Sequence, residues 1–322
     1  MKKTLFVLMC LTMLLSVFSC SETPSENDGK LDIVCTSFAQ YDWVKNIIKD
    51  SENVNLTLLN NKGTDIHSYE PSADDIIKIS ECDILIAIGG SGDKWTIDAV
   101  PNHSETSALS LLALVNSDGN YGELLSHDHD SECDHTHTDT SENIDEHIWM
   151  SLKNSIFFTG EITEIICSKD PENSELYKSN SQNYVNLLKQ LDSGFETAVS
   201  QSENPVMVVA DRFPFLYLTN DYGIKCFAAF PGCSADTDAS PETVITLSDA
   251  IDEYNLSFVA VTENTTGKTA KAVIANTSEK NQEIVVINSM QSVSSEDIEN
   301  GTTYLGIMEQ NLEAIKTLLE LK

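Results

Sequence analysis

Basic side chains are scarce in this chain. Its 322 residues contain 19 lysines and arginines against 51 aspartates and glutamates, which gives a formal net charge of −32 at pH 7. A surface of this charge repels the phosphates of nucleic acids, so nucleic-acid binding is excluded. The same charge attracts cations, although solubility alone is also a sufficient reason for it.

Several short motifs of metal and catalytic sites are absent as well. The sequence has no C-x-x-C pair, which leaves a zinc ribbon unsupported, and neither H-E-x-x-H nor G-x-S-x-G occurs. Beyond residue 20, cysteines occur at Cys35, Cys82, Cys133, Cys167, Cys226 and Cys233. Their pairing cannot be deduced from spacing, so disulfides and buried free thiols both remain open.

The one long hydrophobic run lies at the N-terminus. Lys2 and Lys3 precede an apolar segment over 5–18 that is too short for a permanent membrane span. The run ends in V-F-S-C at Cys20, which resembles a bacterial lipobox. The pattern predicts a signal peptide at 1–19, lipidation of Cys20 and a polar tether over 20–30, with the protein anchored outside the cytoplasmic membrane. A simple cleaved signal with an incidental cysteine is the alternative.

Histidine is rare but concentrated. Of seven histidines, five fall between residues 126 and 149, in SHDHDSECDHTHTDTSENIDEHIW. The first four are His127, His129, His135 and His137. They alternate with acidic residues and lack any apolar run, which predicts a solvated loop within 116–145. Imidazole binds Zn²⁺, Cu²⁺ and Ni²⁺, so we predict an auxiliary metal-collecting loop, with an ordinary acidic surface loop as the alternative.

Strand and helix patterns alternate along the rest of the chain, whose length suits about two units. Short apolar segments predict strands at 31–36, 54–59, 83–88, 205–210, 224–230, 257–262 and 283–287. Residues 169–202 carry a helical pattern without strand signals. We therefore predict an α/β fold of two lobes, 31–168 and 203–322, each with a mostly parallel sheet flanked by helices and joined by a long rigid helix.

Polar residues that follow predicted strands indicate where chemistry would occur, because ligands collect at the carboxyl ends of open parallel sheets. This criterion selects His67, Asp211, Glu263 and Asn288, and His147 joins them where the histidine-rich loop turns into apolar I-W-M. We predict a metal site of His67, His147, Asp211 and Glu263 in the cleft between the lobes, for Zn²⁺ or Mn²⁺. Pairing of Asp211 with a neighbouring cation and a helix-start role for Glu263 remain alternatives.

Three segments together resemble the solute-binding lipoproteins of zinc and manganese ABC importers, the group with a rigid helix between two lobes. GTDIHSYEPSADDI resembles the first-ligand segment of that family and places the first metal histidine at His67. The acidic histidine-rich insertion followed by DEHIWMSLKN resembles its variable loop and second-ligand segment, at His147. The ending YLGIMEQNLEAIKTLL resembles its last helix. The resemblance covers essentially the mature chain.

The second half departs from the family pattern. The third ligand of the family, usually His or Glu, aligns with Ala210 in VVADRFPFLY, which leaves neighbouring Asp211 as the substitute. Asn288 stands where many members carry Asp. The segment VTENTTGKTA aligns Glu263 with a family position that is acidic.

The resemblance implies a monomer that captures an extracellular divalent metal and delivers it to a membrane permease powered by a cytoplasmic ATPase. It implies no enzymatic activity. Histidine-rich loops favour Zn²⁺ over the harder Mn²⁺, so zinc is the first choice and manganese the second. Two alternatives from other classes are an exported zinc hydrolase, with Glu263 or Asp211 as base, and a surface metal buffer or adhesin that uses only the loop.

Overall fold

Two parallel four-stranded sheets form the framework of the molecule. A computed structural model describes residues 29–49, 51–102, 104–118, 144–231 and 239–321. The N-terminal sheet has the order β2-β1-β3-β4, and the C-terminal sheet has the order β6-β5-β7-β8. The strands are β1 (Leu31–Cys35), β2 (Val54–Leu58), β3 (Ile84–Ala87), β4 (Ser107–Ser110), β5 (Val206–Phe213), β6 (Lys225–Pro231), β7 (Phe258–Thr262) and β8 (Glu283–Ile287). Pairing between them is parallel throughout, which confirms the predicted α/β architecture.

Helices flank both sheets. They are α1 (Phe38–Ile48), α2 (Ala73–Glu81), α3 (Lys94–Ala99), α4 (Leu111–Asp118), α5 (Leu152–Lys169), α6 (Ser174–Val199), α7 (Leu216–Tyr222), α8 (Pro241–Tyr254), α9 (Lys268–Asn276), α10 (Ser295–Glu299) and α11 (Tyr304–Leu318). Local sequence explains where several of them begin. The Ser72 hydroxyl accepts from the backbone N–H of Asp75 at the start of α2, and Ser240 with Pro241 starts α8 in the same way.

Central strands are buried because helices cover both faces. All four residues of β3 are buried, and β5 is buried from Val206 to Ala210. Such strands appear in the sequence as continuous apolar runs rather than as alternating patterns. This is why the apolar segments of the sequence located them.

The 26-residue helix α6 joins the two halves. Its buried face includes Tyr177, Tyr184, Leu188 and Phe195. It packs against α1 and α5, which belong to the N-terminal half, and against α11, which packs on β8. The predicted long connecting helix is thus confirmed. Residues 31–322 form one compact unit by their contacts, and the predicted lobe limits of 31–168 and 203–322 stay a prediction.

The structure corrects the sequence-based boundaries in the C-terminal half. Strand β5 continues through Asp211 and Arg212 to Phe213, so Asp211 lies within the strand rather than beyond its end. Pairing with β6 resumes at Arg212 after a register shift. This tertiary pairing extends the strand into a polar segment that no apolar pattern marks. The helix that follows, α7, consequently begins only at Leu216.

The cysteines that the structure describes are free thiols, at Cys35, Cys82, Cys167 and Cys226. Burial raises the pKa of the Cys82 thiol to about 12, and burial also raises the pKa of Cys35. These groups therefore stay protonated at neutral pH and are poor metal ligands there. Cys133 and Cys233 lie outside the described residues. Within the described ranges, no helix combines the length and apolar character that a membrane span requires.

Candidate metal centre

His67 lies in a short 3-10 turn, Ile66–Ser68, in the loop that follows β2. The turn is fixed by Asp65, whose Oδ1 accepts the backbone N–H of His67 at 3.0 Å. Ile66 is buried and anchors the turn to the N-terminal core. The imidazole of His67 is 18% exposed, which places it at the edge of the molecule's interior.

His147 lies immediately before a second 3-10 turn, Ile148–Met150, whose three residues are all buried. Asp145 Oδ1 accepts the backbone N–H of His147 at 2.8 Å and lies 2.9 Å from its Nδ1. The imidazole is only 1% exposed and lies 5.1 Å from the Trp149 ring, centre to centre. This histidine belongs to an ordered site, although it directly follows the histidine-rich segment.

The fold brings the two histidines together. Their ring centres are 5.6 Å apart, although the residues come from separate segments of the chain. With Zn–N distances of about 2.0–2.1 Å, one ion bound by two imidazoles separates their ring centres by about 5–6 Å. The arrangement therefore has the spacing that joint coordination requires.

A carboxylate lies beside the Nδ1 atom of each histidine. Asp145 is next to His147, and Glu146 Oε1 lies 3.3 Å from His67 Nδ1. Carboxylates in this position favour the tautomer with the proton on Nδ1, which leaves the lone pair on Nε2. The sequence-based site omitted both residues. Their signal was present as the dipeptide D-E directly before His147 in DEHIW.

The two carboxylates predicted as ligands in the C-terminal half accept hydrogen bonds from donors of that same half. Asp211 Oδ1 accepts the backbone N–H of Arg212 at 2.8 Å, and its Oδ2 accepts the Thr262 hydroxyl at 3.0 Å. Glu263 accepts from Ser289 twice, since each of its oxygens lies 2.7 Å from a donor, the backbone N–H or the hydroxyl. Glu263 directly follows β7, as the sequence indicated, whereas Asp211 lies inside the neighbouring strand β5. Both carboxylates are held by donors of the C-terminal half.

Direct contacts connect the histidine segments with the C-terminal half. Arg212, the single arginine of the sequence, donates from a guanidinium nitrogen to Asp65 Oδ2 at 2.8 Å. The Trp149 indole N–H donates to the carbonyl of Ser289 at 2.9 Å, and the Tyr217 hydroxyl donates to the carbonyl of Asp145 at the same distance. Both histidine turns therefore lie where the two halves meet.

A cleft of about 190 Å³ lies at this junction. Its lining includes Asp65 from the N-terminal half and Arg212, Thr262, Glu263 and Ser289 from the C-terminal half. Glu263 thus shares a cleft with the residue that caps the His67 turn. Among the described residues, however, no three His, Cys, Asp or Glu side chains converge as a metal site.

The family profile described as "ZnuA: Zinc-uptake complex component A periplasmic" matches residues 33–318. The chain belongs to this family. The match covers both sheets, the connecting helix α6 and both histidine turns, so the resemblance that three motifs suggested is confirmed.

Relatives of the ZnuA family agree with this assignment. The chain is 29% identical over 320 residues to "Zinc-binding lipoprotein AdcA" of Streptococcus pneumoniae, and this covers 98% of the chain and 61% of that protein. It thus spans about 61% of the length of this relative. Over 321 residues it is 28% identical to "High-affinity zinc uptake system protein ZnuA" of Bacillus subtilis, with 99% of the chain and 98% of that protein covered.

Solved structures of ZnuA-like proteins share the fold. The metal-dependent lipoprotein YcdH from Bacillus subtilis matches with a TM-score of 0.72 and 25% identity, over 90% of this chain and 99% of that one. The Zn(II)-bound ZnuA-like domain of Streptococcus pneumoniae AdcA matches with a TM-score of 0.70 and 24% identity, over 91% of this chain and 100% of that one.

The sequence resemblance implies ligands of the family at Ala210 and Asn288, and both residues carry other chemistry here. Ala210 is buried in β5 and offers no donor atom to a metal. The Asn288 side-chain oxygen accepts the backbone N–H of Met290 at 2.8 Å. The metal ligand roles of His67, His147, Asp211 and Glu263 stay a prediction. The other predicted residues, Cys20, His127, His129, His135 and His137, lie outside the described residues.

Proposed function

We propose that this protein captures Zn²⁺ outside the cytoplasm and delivers it to an ABC permease driven by a cytoplasmic ATPase. The proposal rests on the juxtaposition of His67 and His147 in a chain of the ZnuA family. Two imidazoles with oxygen ligands nearby suit Zn²⁺, which is borderline soft, better than they suit Mn²⁺. Manganese is the second candidate, because a carboxylate lies beside each histidine.

The C-terminal carboxylates complete the site in this proposal. For Asp211 and Glu263 to reach an ion held by the histidines, they exchange hydrogen bonds to Thr262 and Ser289 for metal coordination. Hydrogen bonds to charged groups contribute about 1.5–3 kcal/mol each, whereas a multi-ligand zinc site contributes on the order of 10 kcal/mol. The exchange is therefore favourable if the two halves bring the groups within reach.

Zinc titration of the mature protein, with chelator competition, tests the proposal. We expect one tight site per chain that prefers Zn²⁺ over Mn²⁺, and this site should persist when residues 126–142 are deleted. Loss of all tight binding in the deletion variant would favour a metal buffer that uses only the loop. Preference for Mn²⁺ would replace the proposed cargo and leave the importer role in place.

Location and partners belong to the same proposal. We infer that Cys20 carries a lipid anchor and that the protein acts as a monomer without enzymatic activity. Substitution of Cys20 by Ser is expected to release the protein from the membrane fraction of the producing cells. Turnover of ester, peptide or phosphate substrates by the zinc-loaded protein would instead support an exported hydrolase.

A further inference from the structure

The Glu146 carboxylate is held in a cradle made by three consecutive loop residues after β3. The Ser91 hydroxyl donates to Oε1 at 2.6 Å, and the Gly92 N–H donates to Oε2 at 3.2 Å. At Gly90 there is no room for a side chain, because a Cβ atom would collide with the Glu146 carboxylate. Glu146 is only 9% exposed, so this contact determines where its charge lies.

The loop that forms the cradle is stabilised without help from Glu146. Asp93 accepts the backbone N–H groups of Ile88 at 2.7 Å and Gly89 at 2.8 Å, and it also accepts the Thr36 hydroxyl at 2.5 Å. The cradle is therefore a preformed part of the N-terminal half. A substitution of equal size at residue 146 should leave its fold in place.

The donors of the cradle determine what Glu146 presents to His67. A backbone N–H can only donate, so the Gly92 contact requires an acceptor at Oε2. The other oxygen, Oε1, lies 3.3 Å from His67 Nδ1 and is likewise an acceptor. An acceptor beside Nδ1 favours the tautomer with its proton on Nδ1, which leaves Nε2 with the lone pair that a metal needs.

We propose that Glu146 is a positioning residue for metal capture, which sets the tautomer and orientation of His67 through Nδ1 and so directs Nε2 toward the ion. Asp145 has the corresponding contact with His147, so one dipeptide orients both imidazoles. The metal part of this inference rests on the proposed function, whereas the tautomer part does not. Glu146 itself binds the protein loop and is not assigned as a ligand.

Glu146→Gln tests the inference because it preserves size and replaces the acceptor that faces His67 with a donor. The Gly92 N–H still requires an acceptor, so the amide oxygen takes the Oε2 place and the NH₂ group takes the Oε1 place. Ser91 can then accept through its hydroxyl. The NH₂ group donates to His67 Nδ1 and reverses the tautomer, which puts the proton on Nε2.

Two readouts follow. The first is the NMR spectrum of metal-free protein with ¹⁵N-labelled histidine, recorded above the usual histidine pKa of about 6.5. We expect His67 to be the Nδ1–H tautomer in the wild type and the Nε2–H tautomer in Glu146→Gln. The His67→Gln variant assigns the signals. Zinc affinity should fall about 10–100-fold in Glu146→Gln, the usual cost of losing such an outer partner.

Glu70→Gln is the matched control. Glu70 is exposed and lies three residues after His67, so this variant removes the same charge close to His67 along the chain. We expect its zinc affinity to stay within about twofold of wild type. If both variants lose zinc affinity equally, the loss is due to net charge alone, and the inference is overturned.

The tautomer measurement separates this inference from the proposed function. An Nε2–H tautomer of His67 in the wild type, or an unchanged tautomer and affinity in Glu146→Gln, would overturn the positioning role. A wild-type protein that shows the expected tautomer but binds no zinc would instead overturn the proposed cargo.

Discussion

The two halves of this molecule differ in how their candidate metal ligands are positioned and hydrogen-bonded. In the N-terminal half, two imidazoles already lie 5.6 Å apart, and each has a carboxylate beside its Nδ1 atom. In the C-terminal half, the two candidate carboxylates accept hydrogen bonds from Thr262 and Ser289 of their own sheet. The N-terminal half, here called the preorganised half, already holds two imidazoles at the spacing that joint coordination requires. Asp211 and Glu263 would have to exchange their present hydrogen bonds to reach the proposed ion.

Removal of either histidine should have the largest effect. We expect His67→Ala and His147→Ala each to weaken tight zinc binding by two or more orders of magnitude, because each deletes one of the two imidazoles that the described part of the chain brings together. Competition titration measures this. If both variants bind zinc as wild type does, the preorganised half is not the metal site. A melting curve for each variant is needed as well, since His147 is only 1% exposed.

The junction of the halves contains the buried carboxyl group of Asp42. Its removal should change how the free energy of unfolding depends on pH. Burial raises the pKa of Asp42 to about 6, although the Tyr304 N–H and the Tyr184 hydroxyl partly oppose the rise. The folded-state pKa therefore exceeds the unfolded value, so the contribution of Asp42 is complete below about pH 4 and is lost as pH rises through 6. The loss is about 3 kcal/mol.

Asp42→Asn isolates this effect, because its amide oxygen can accept the same hydrogen bonds. Denaturant unfolding at acidic and neutral pH measures the free energies of unfolding. The difference between variant and wild type should move in favour of the variant by up to about 3 kcal/mol as pH rises from about 4 to 7. A difference that stays constant over this range would show that Asp42 does not titrate as its burial implies.

Asn288→Asp should add a carboxylate to the C-terminal half and so raise the zinc affinity of the protein. Asn288 lines a second cavity together with Glu263, and the sequence resemblance aligns it with a position where many family members carry Asp. Asp would keep the acceptor that the backbone N–H of Met290 uses. An added charge near a partly buried cation is expected to tighten zinc binding about tenfold. Asn264→Asp is the control, since exposed Asn264 lines the same cavity. If both variants raise zinc affinity equally, the increase is due to net charge and not to the position of residue 288.

Loss of the ion pair between Arg212 and Asp65, which connects the two halves, should have the smallest effect of these changes. Arg212 and Asp65 are 36% and 19% exposed in their side chains, and pairs of this exposure contribute about 0–1 kcal/mol. We expect Arg212→Gln to lower the free energy of unfolding by less than about 1 kcal/mol, with the difference shrinking at high salt because screening weakens the pair. A larger, salt-independent loss would mean that Arg212 fixes the His67 turn through Asp65.

Local pattern carried much of the architecture. Buried parallel strands such as β3 are continuous apolar runs, and helix α8 has its serine cap and proline in sequence, so both could be located without coordinates. The end of β5 could not, because its last residues are paired only through a register shift against β6. The same distinction applies to the site. His67 and His147 have recognisable segments, whereas Glu146 acquires its role through Ser91, 55 residues away.

The sequence by itself determined the parallel α/β fold and the family, and it singled out His67 and His147 as candidates, because these depend on apolar runs and short contiguous motifs. Only the tertiary structure decided that Asp145 and Glu146 face the two imidazoles, that Arg212 reaches Asp65, and that Glu263 is held by Ser289. The physical reason is that hydrogen bonds and ion pairs act over about 3 Å in space, without regard to distance along the chain.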